Sequence, residues 1–177
     1  MTAFKELLLH QTVLKMTEFD LIKLAEKAVS ILKDKNKTLA LAESCTGGWV
    51  SKIITDVSGA SAVYQGGVCS YSNEVKMNIL GVKKETLDCF GAVSEKVAIQ
   101  MAEGVKKALK SDVGIGITGI AGPLSDNTAK PVGLIYVAIA DESKTICTEL
   151  RNNFTENIRL QNRMSAAKTA LTLLGDM

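Results

Sequence analysis

Histidine is nearly absent from this chain of 177 residues, which contains one, at position 10. An active site of the Ser–His–Asp or Cys–His kind would have to use His10, and nothing around that residue resembles a fixed site. The same count excludes a metal site built on several histidines. Any general base must therefore be a lysine, tyrosine, aspartate or glutamate side chain, and no feature of the sequence requires a metal.

Cysteine is sparse and widely spaced. Its four occurrences include no C-x-x-C pair, so the sequence predicts neither a zinc site nor a redox dithiol. We expect reduced thiols in a cytoplasmic protein, with three of the four packed in the core. The four residues are Cys45, Cys69, Cys89 and Cys147.

An excess of either charge is also lacking, because 21 basic residues accompany 19 acidic ones and the formal net charge is +2. The sequence therefore predicts no direct binding to nucleic acid or to an anionic membrane surface. It also lacks an apolar run of the roughly 20 residues that a membrane-spanning helix requires. Near the start, Lys5 and Glu6 precede Leu7 and no small-residue cleavage site follows, so we expect no signal peptide.

Hydrophobic residues make up 46% of the chain, which is enough to form one substantial core. We expect a single domain over residues 17–177, preceded by an N-terminal extension, residues 1–16, that can form a helix. Helical periodicity alternates with short apolar strands, which predicts a three-layer α/β/α sandwich with a mixed sheet. Predicted helices cover 17–33, 46–57, 94–109 and 155–174, with a short one after Ser72; predicted strands cover 38–42, 63–71, 113–117, 132–140 and 144–151.

Two potential nucleophiles, Ser44 and Cys45, follow the first predicted strand and precede a helix. The free amides of a helix start attract anionic groups and favour thiolate or alkoxide character nearby, so this turn predicts an active site. Thr46, Gly47 and Gly48 complete it. The preceding carboxylate, at position 43, either orders the turn from a buried position or binds a cationic ligand, and we favour the first role.

A second strand end carries Tyr71, followed by Lys76 on the short helix. A tyrosine and a lysine that share a site can lower each other's pKa, and a desolvated lysine can accept a proton from a serine hydroxyl. A tyrosine at a strand end beside a solvated helix lysine is the alternative, and spacing by itself favours that alternative.

A third polar turn, Thr118 to Gly122, follows another strand. Its glycines let backbone amides approach a ligand, and Thr118 offers a hydroxyl. The loop beyond it leads to Lys130, which can either reach a substrate phosphate from a flap or lie in an ordinary exposed loop. Neither G-x-x-x-x-G-K-[ST] nor G-x-G-x-x-G occurs, so we expect no ATP, dinucleotide or other cofactor.

Two arginines, Arg159 and Arg163, are four residues apart and share one face of the last predicted helix. They can bind an anion together, although a solvated helix face is the more usual explanation of such spacing.

Five segments stand in an order that is known from one protein family. They are AESCTGG at 42–48, YSNEVK at 71–76, GAVS at 91–94, TGIAGP at 118–123 and KPVG at 130–133. Over about residues 20 to 174 the chain resembles the CinA C-terminal domain family. The resemblance implies a nicotinamide-nucleotide amidohydrolase, which converts nicotinamide mononucleotide and water to nicotinate mononucleotide and ammonia in pyridine-nucleotide (NAD) salvage.

The resemblance also implies roles for individual residues. Ser44 would be the nucleophile, Tyr71 and Lys76 its activating pair, and an amide of Cys45 or Thr46 the oxyanion donor. Cys45 is the rival nucleophile, because a thiol at a helix start is intrinsically better suited to attack; we place Ser44 first. The implied substrate contacts are Glu43, Cys45, Thr46, Gly47, Gly48, Asn73, Thr118, Gly119, Ala121, Gly122 and Lys130.

The loop after Pro123 departs from the family pattern. Many members have an acidic residue and glycines there, whereas this chain has Leu-Ser-Asp-Asn at 124–127. We expect this loop to change substrate affinity rather than the chemical step.

The alternative function is a non-catalytic nucleotide-binding or partner-binding module linked to competence or DNA damage. An amidase for another substrate is a third possibility. Exposed strand edges and Trp49 favour a homo-oligomer.

Overall fold

The computed structural model describes residues 17–125 and 128–177, which form a five-stranded mixed sheet with helices on both faces. The predicted three-layer α/β/α sandwich is confirmed. The predicted extension, residues 1–16, lies outside the described residues. The strands are β1 Leu39–Glu43, β2 Tyr64–Cys69, β3 Val113–Gly119, β4 Leu134–Ala140 and β5 Thr145–Arg151. The helices are α1 Glu18–Asp34, α2 Trp49–Thr55, α3 Asn73–Leu80, α4 Lys84–Phe90, α5 Glu95–Ala108 and α6 Ile158–Gly175, with a 3-10 turn at Ala60–Ala62.

The sheet order is β2-β1-β3-β4-β5. β1 runs parallel to both of its neighbours, whereas β4 and β5 are antiparallel additions that form the predicted hairpin. Glu43 at the end of β1 is in register with Cys69 of β2 and Ile117 of β3. Because parallel strands end at the same edge of a sheet, the segments after β1, β2 and β3 meet there.

The two faces of β1 differ in side-chain size, and this sets how closely the helices approach. Leu39 and Leu41 face the core shared with α1, α2 and α6, while Ala40 and Ala42 face the core shared with α3 and α5. On β3, a Cβ at Gly116 would lie 2.2 Å from the Ala98 carbonyl oxygen. Small residues therefore let α5 pack almost directly on the backbone of the sheet.

The helix starts follow their capping signals where the sequence offers them. The side-chain oxygens of Thr17, Ser72 and Ser94 each accept a hydrogen bond from a backbone amide in the first turn of their helix. Thr17 also forms a complete capping box with Asp20. The last helix begins at Ile158 rather than at the predicted 155, after a left-handed Asn157. Helix α4 was not predicted. The equally short α2 buries three apolar residues at helical spacing, whereas α4 buries only Thr86 and Leu87 and shows no such pattern.

The expectation that three cysteines pack in the core is wrong. Cys45 is buried, Cys147 is half-buried, and Cys69 and Cys89 are exposed. The reason is that Cys69 ends an edge strand with alternating burial, and Cys89 lies on a short surface helix. Among the described residues, no helix is both long enough and apolar enough to cross a membrane.

Candidate active site

Glu43 organises the turn that carries the nucleophiles. Its carboxylate is 1% exposed and accepts hydrogen bonds from the amides of Gly48 (3.1 Å), Val50 (3.1 Å) and Ser51 (2.8 Å), and from the Ser51 hydroxyl (2.6 Å). The carboxylate thus occupies the start of α2 that we expected to attract a ligand anion. The geometry matches the turn-ordering role of Glu43, and it moves any anion site away from these amides.

The turn itself, residues 44–48, displaces the start of α2 from the predicted Thr46 to Trp49. Gly47 and Gly48 have φ values of 61° and 88°, which side chains disfavour. A Cβ at Gly48 would also lie 3.1 Å from the Cys69 sulfur. Both glycines are therefore required by backbone conformation, whether or not a ligand contacts them.

Lys76 reaches the Ser44 hydroxyl from the neighbouring helix. Its Nζ lies 3.2 Å from Ser44 Oγ and 2.5 Å from the carbonyl oxygen of Ser70, and the residue is 1% exposed. Burial lowers the pKa of Lys76, and the nearby Cys45 thiol opposes this effect to a smaller extent. A buried amine with a lowered pKa beside a serine hydroxyl is able to act as its general base.

Cys45 faces the opposite way. Its side chain is 6% exposed and belongs to the core between α1, α2 and α6. Burial raises the pKa of this thiol to about 12, so it stays protonated at neutral pH. Among the two candidate nucleophiles, Ser44 is the one that is half-buried at the sheet edge and paired with a base.

Tyr71 lies at the mouth of the site rather than on the lysine. It is 68% exposed, and its hydroxyl accepts a hydrogen bond from Arg159 at 3.3 Å. Arg159 also donates to the Gly122 carbonyl oxygen at 3.0 Å. A direct bond between Tyr71 and Lys76 is not among the hydrogen bonds of residues 17–125 and 128–177, so the implied activating pair does not form a direct contact in this structure.

The start of α6 holds two of the polar turns together. Arg163 donates to the Thr46 carbonyl oxygen at 2.7 Å and lies over the Trp49 ring, and Asn162 donates to the Ala121 carbonyl oxygen at 3.0 Å. The arginine pair therefore binds backbone oxygens in this structure. Asn162, which is 1% exposed, was not singled out from the sequence, although a polar residue on the apolar face of a helix is a signal for such a contact.

The third turn is fixed from its other side. Thr118 is buried and donates to the Ala92 carbonyl oxygen at 2.8 Å, while Lys130 donates to the carbonyl oxygens of Phe90 and Val93, each at 2.5 Å. Lys130 thus ties the loop to the connection between α4 and α5. The expectation that it reaches a phosphate is not what this geometry shows.

Three further residues complete the predicted set. Gly119 ends β3, and Ile120 beyond it continues pairing with Leu134 at 2.9 Å, which brings the Ala121 backbone to the edge of the site. Asn73 is the exposed first residue of α3, directly after its capping serine.

No group of three histidine, cysteine, aspartate or glutamate side chains in the described part of the chain could hold a metal ion.

Two amides of the 44–48 turn remain available as donors. The amides of Ser44, Gly47, Gly48 and Trp49 all bond to backbone or carboxylate oxygens. The Cys45 amide contacts only its own thiol, and the Thr46 amide has no partner among the described residues. The family resemblance implies that one of these two amides, which directly follow Ser44, is the oxyanion donor.

Comparison with known proteins agrees with this architecture. The family model for the CinA C-terminal domain matches residues 21–177. A putative competence-damage inducible protein of Acetivibrio thermocellus is 54% identical over 124 residues, which are 70% of this chain and 30% of that protein. Its counterpart in Clostridioides difficile is 49% identical over 150 residues, which are 84% of this chain and 35% of that protein. The chain thus spans about a third of these relatives.

Solved structures of similar length share the fold. The competence/damage inducible protein CihA from Agrobacterium tumefaciens has a TM-score of 0.83 and 34% identity, covering 92% of this chain and 97% of that one. A CinA superfamily protein from Escherichia coli has a TM-score of 0.83 and 27% identity, covering 94% and 96%. By its sequence, its fold and its match to the family model, this chain belongs to the CinA C-terminal domain family.

Proposed function

We propose that this protein is an amidohydrolase that converts nicotinamide mononucleotide and water to nicotinate mononucleotide and ammonia, with Ser44 as its nucleophile. The observation that carries the proposal is the 3.2 Å contact between Ser44 Oγ and the buried Nζ of Lys76. Family membership supports the choice of substrate. The relatives' names refer to competence and damage, so the activity is a proposal for this chain.

The proposed reaction begins with proton transfer. Neutral Lys76 takes the Ser44 hydroxyl proton while Oγ bonds to the carboxamide carbon, and the carbonyl electron pair moves onto oxygen. The amides of Cys45 and Thr46, which belong to the same turn and bond to no other described residue, would stabilise that oxyanion. When the carbon–nitrogen bond breaks, Lys76 returns its proton to the nitrogen, which leaves as ammonia.

The second half of the reaction repeats these steps with water. The nicotinate group is now an ester of Ser44, and Lys76 accepts a proton from the attacking water. Collapse of the second oxyanion breaks the bond to Oγ, and Lys76 returns the proton to Ser44. One water is consumed and one ammonia is released, and neither step requires a histidine.

Positive charge lies beside the nucleophile turn and suits the phosphate of the substrate. Arg163 lines an open depression together with Gly47, Gly48 and Trp49, and Arg159 lies between Tyr71 and the third turn. The guanidinium of Arg163 has one buried nitrogen, Nε, without a hydrogen-bond partner among the described residues. We assign the phosphate end of the substrate to this arginine side of the site.

The deciding experiment is ammonia release from nicotinamide mononucleotide by wild type, Ser44→Ala, Cys45→Ala and Lys76→Met. We expect turnover to be lost in the first and third variants and kept in Cys45→Ala, because the buried thiol has no access to the carbonyl carbon. Loss only in Cys45→Ala would reverse the choice of nucleophile.

A nucleotide-binding module without chemistry is the second candidate, and the competence-damage names of the relatives favour it. The same experiment separates the two. Calorimetric binding of nicotinamide mononucleotide by the wild type, with no ammonia released, would identify a binding module and withdraw the amidohydrolase.

A further inference from the structure

Ser70 is a buried polar residue that the reaction above does not use. It directly follows β2, and its side chain is completely buried, yet its hydroxyl has no hydrogen-bond partner among the described residues. Its backbone contacts both halves of the site. The Ser70 amide donates to the Glu43 carbonyl oxygen at 2.8 Å, and its own carbonyl oxygen accepts from Lys76 at 2.5 Å.

Among the described residues, Lys76 has an N–H donor without an acceptor, whereas Ser70 has a hydroxyl without a partner. A lysine ammonium carries three N–H donors and no acceptor. The hydrogen bonds of the described residues engage two of them, at Ser44 Oγ and at the Ser70 carbonyl oxygen. The third remains without a partner in a side chain that is 1% exposed, where an unmade hydrogen bond is costly.

Neutral Lys76 also has one N–H group without an acceptor among the described residues. A neutral amine has two N–H groups and one lone pair, and as the base of Ser44 it must turn the lone pair toward Oγ. One N–H then bonds to the Ser70 carbonyl oxygen, and the other again needs an acceptor. In both protonation states one N–H is left over beside a residue with a free buried hydroxyl.

The two groups are within reach of each other. The hydroxyl belongs to the residue whose carbonyl oxygen already holds Nζ at 2.5 Å. Rotation about χ1 moves Oγ between its staggered positions and leaves both backbone hydrogen bonds intact. In the structure Ser70 Oγ makes no hydrogen bond to a described residue, so the contact requires this rotation.

We propose that Ser70 is a positioning residue, whose hydroxyl accepts the remaining N–H of Lys76 and so keeps the lone pair of the neutral amine on Ser44. Its catalytic effect rests on the proposed function, whereas the hydrogen bond itself does not. Without the hydroxyl, the buried amine can rotate toward other acceptors, and a base that is displaced by about 1 Å can cost up to two orders of magnitude in rate.

The charged and titratable groups near Lys76 leave its pKa sensitive to the Ser70 hydroxyl. The thiol of Cys45 acts on the charge of Lys76, but with a pKa of about 12 that thiol stays neutral through the range of interest. The carboxylate of Glu43 is held by the amides of α2. A hydroxyl stabilises an ammonium more than a neutral amine, so its removal lowers the pKa of Lys76 further.

The experiment compares wild type with Ser70→Ala, and Thr86→Val serves as a control that removes a buried hydroxyl outside the site. In Ser70→Ala we expect kcat to fall about tenfold with KM unchanged, because the base rather than the substrate is misplaced. The acidic limb of the kcat/KM profile moves to lower pH by about one unit. Thr86→Val changes neither quantity.

A second readout does not depend on turnover. The Lys76 pKa is measured from the 13Cε chemical shift of 13C-lysine-labelled protein, with the signal assigned by its loss in Lys76→Arg. An unchanged titration in Ser70→Ala overturns the proposal. If that variant fails to fold, Ser70→Cys has nearly the same volume and a weaker acceptor, and an unchanged Lys76 titration there overturns it equally. A lowered Lys76 pKa in protein that releases no ammonia keeps the Ser70 contact and refutes the proposed function.

Discussion

At the scale of single residues, the site depends on two buried charged groups that are satisfied in different ways. Glu43 accepts one hydrogen bond from Gly48 and three from α2, so its charge is compensated by fixed donors. Lys76 has no carboxylate partner among the described residues, and its partners are a hydroxyl and a carbonyl oxygen. The first group stabilises the fold, whereas the second costs stability and supplies reactivity.

Replacing Glu43 tests the stabilising role. In Glu43→Gln one carboxylate oxygen becomes an NH2 donor that faces amide donors, so we expect the free energy of unfolding to fall by about 2 kcal/mol. Urea denaturation measures this loss. Glu142→Gln is the matched control, because Glu142 is an exposed partner of Lys37 and should leave the midpoint unchanged. Equal midpoints in both variants would contradict the role given to Glu43.

Replacing Lys76 tests the cost of a buried amine. Lys76→Met keeps the volume and removes the charge, so we expect greater stability at pH 7 together with a loss of activity of about a thousandfold. Lys76→Arg should be equally inactive, because a guanidinium does not give up its proton.

The pH dependence of stability follows from the lowered pKa of Lys76. Between that pKa and the ordinary value of 10.5, the unfolded chain binds more protons than the folded one, so the wild type gains stability as pH rises through this window. The advantage of Lys76→Met should therefore be largest below the folded pKa and shrink toward pH 10.5. Urea titrations at several pH values measure the difference, and a constant advantage would mean that Lys76 titrates like a free lysine.

At the scale of elements, the site is a junction of segments that follow β1, β2 and β3, clamped by the first turns of α6. Arg163 and Asn162 hold the turns after β1 and β3 by their carbonyl oxygens. The helix therefore sets the distance between the nucleophile turn and the third turn, and that distance decides which substrate fits between them.

Removal of one clamp should loosen the nucleophile turn. In Arg163→Met the Thr46 carbonyl oxygen loses its donor, and we expect faster hydrogen exchange over residues 44–48 and a kcat lower by about tenfold. Lys168→Met removes an exposed charge from the same helix and should affect neither. Unchanged exchange in Arg163→Met would show that Glu43 by itself holds the turn.

The close approach of α5 to the sheet gives an element-scale prediction about stability. In Gly116→Ala the new methyl group would lie 2.2 Å from the Ala98 carbonyl oxygen, so α5 must shift, and we expect a loss of about 3 kcal/mol or more. Gly81→Ala meets no atom within 4 Å but has a φ of 67°, and should cost about 1 kcal/mol. Thermal unfolding compares the two variants, and a larger loss in Gly81→Ala would contradict the packing described for α5.

At the scale of the whole molecule, the described residues fold as one unit around a sheet whose edge strands are β2 and β5. Ile146 on β5 is 42% exposed. Exposed apolar residues on an edge strand favour pairing with another copy, so we expect light scattering to give at least twice the 18.9 kDa of one chain. Ile146→Lys should then reduce the mass toward that of a monomer, and a wild-type monomer would contradict the expectation.

Local signals in the sequence predicted the layers, most of the helices and strands, and the segments that gather at the site. Hydrophobic periodicity, capping residues and glycine turns are local signals, and they act within a few residues. Helix α4 was not predicted because it buries a single apolar residue, Leu87, and so has no apolar periodicity. The same local signals brought Ser44 and Lys76 into consideration, but spacing could not distinguish a catalytic lysine from a solvated one.

The contacts of each side chain could be read only from the folded structure. It turned Cys45 into the core and Ser44 toward Lys76, and it gave the amides of α2 to Glu43 rather than to a ligand. It bound Lys130 and Arg163 to backbone oxygens and left the buried Ser70 hydroxyl without a partner among the described residues. These outcomes depend on the distance and burial of groups far apart in the chain. Residue spacing along a sequence carries neither, because both arise when the strands align and the helices pack against them.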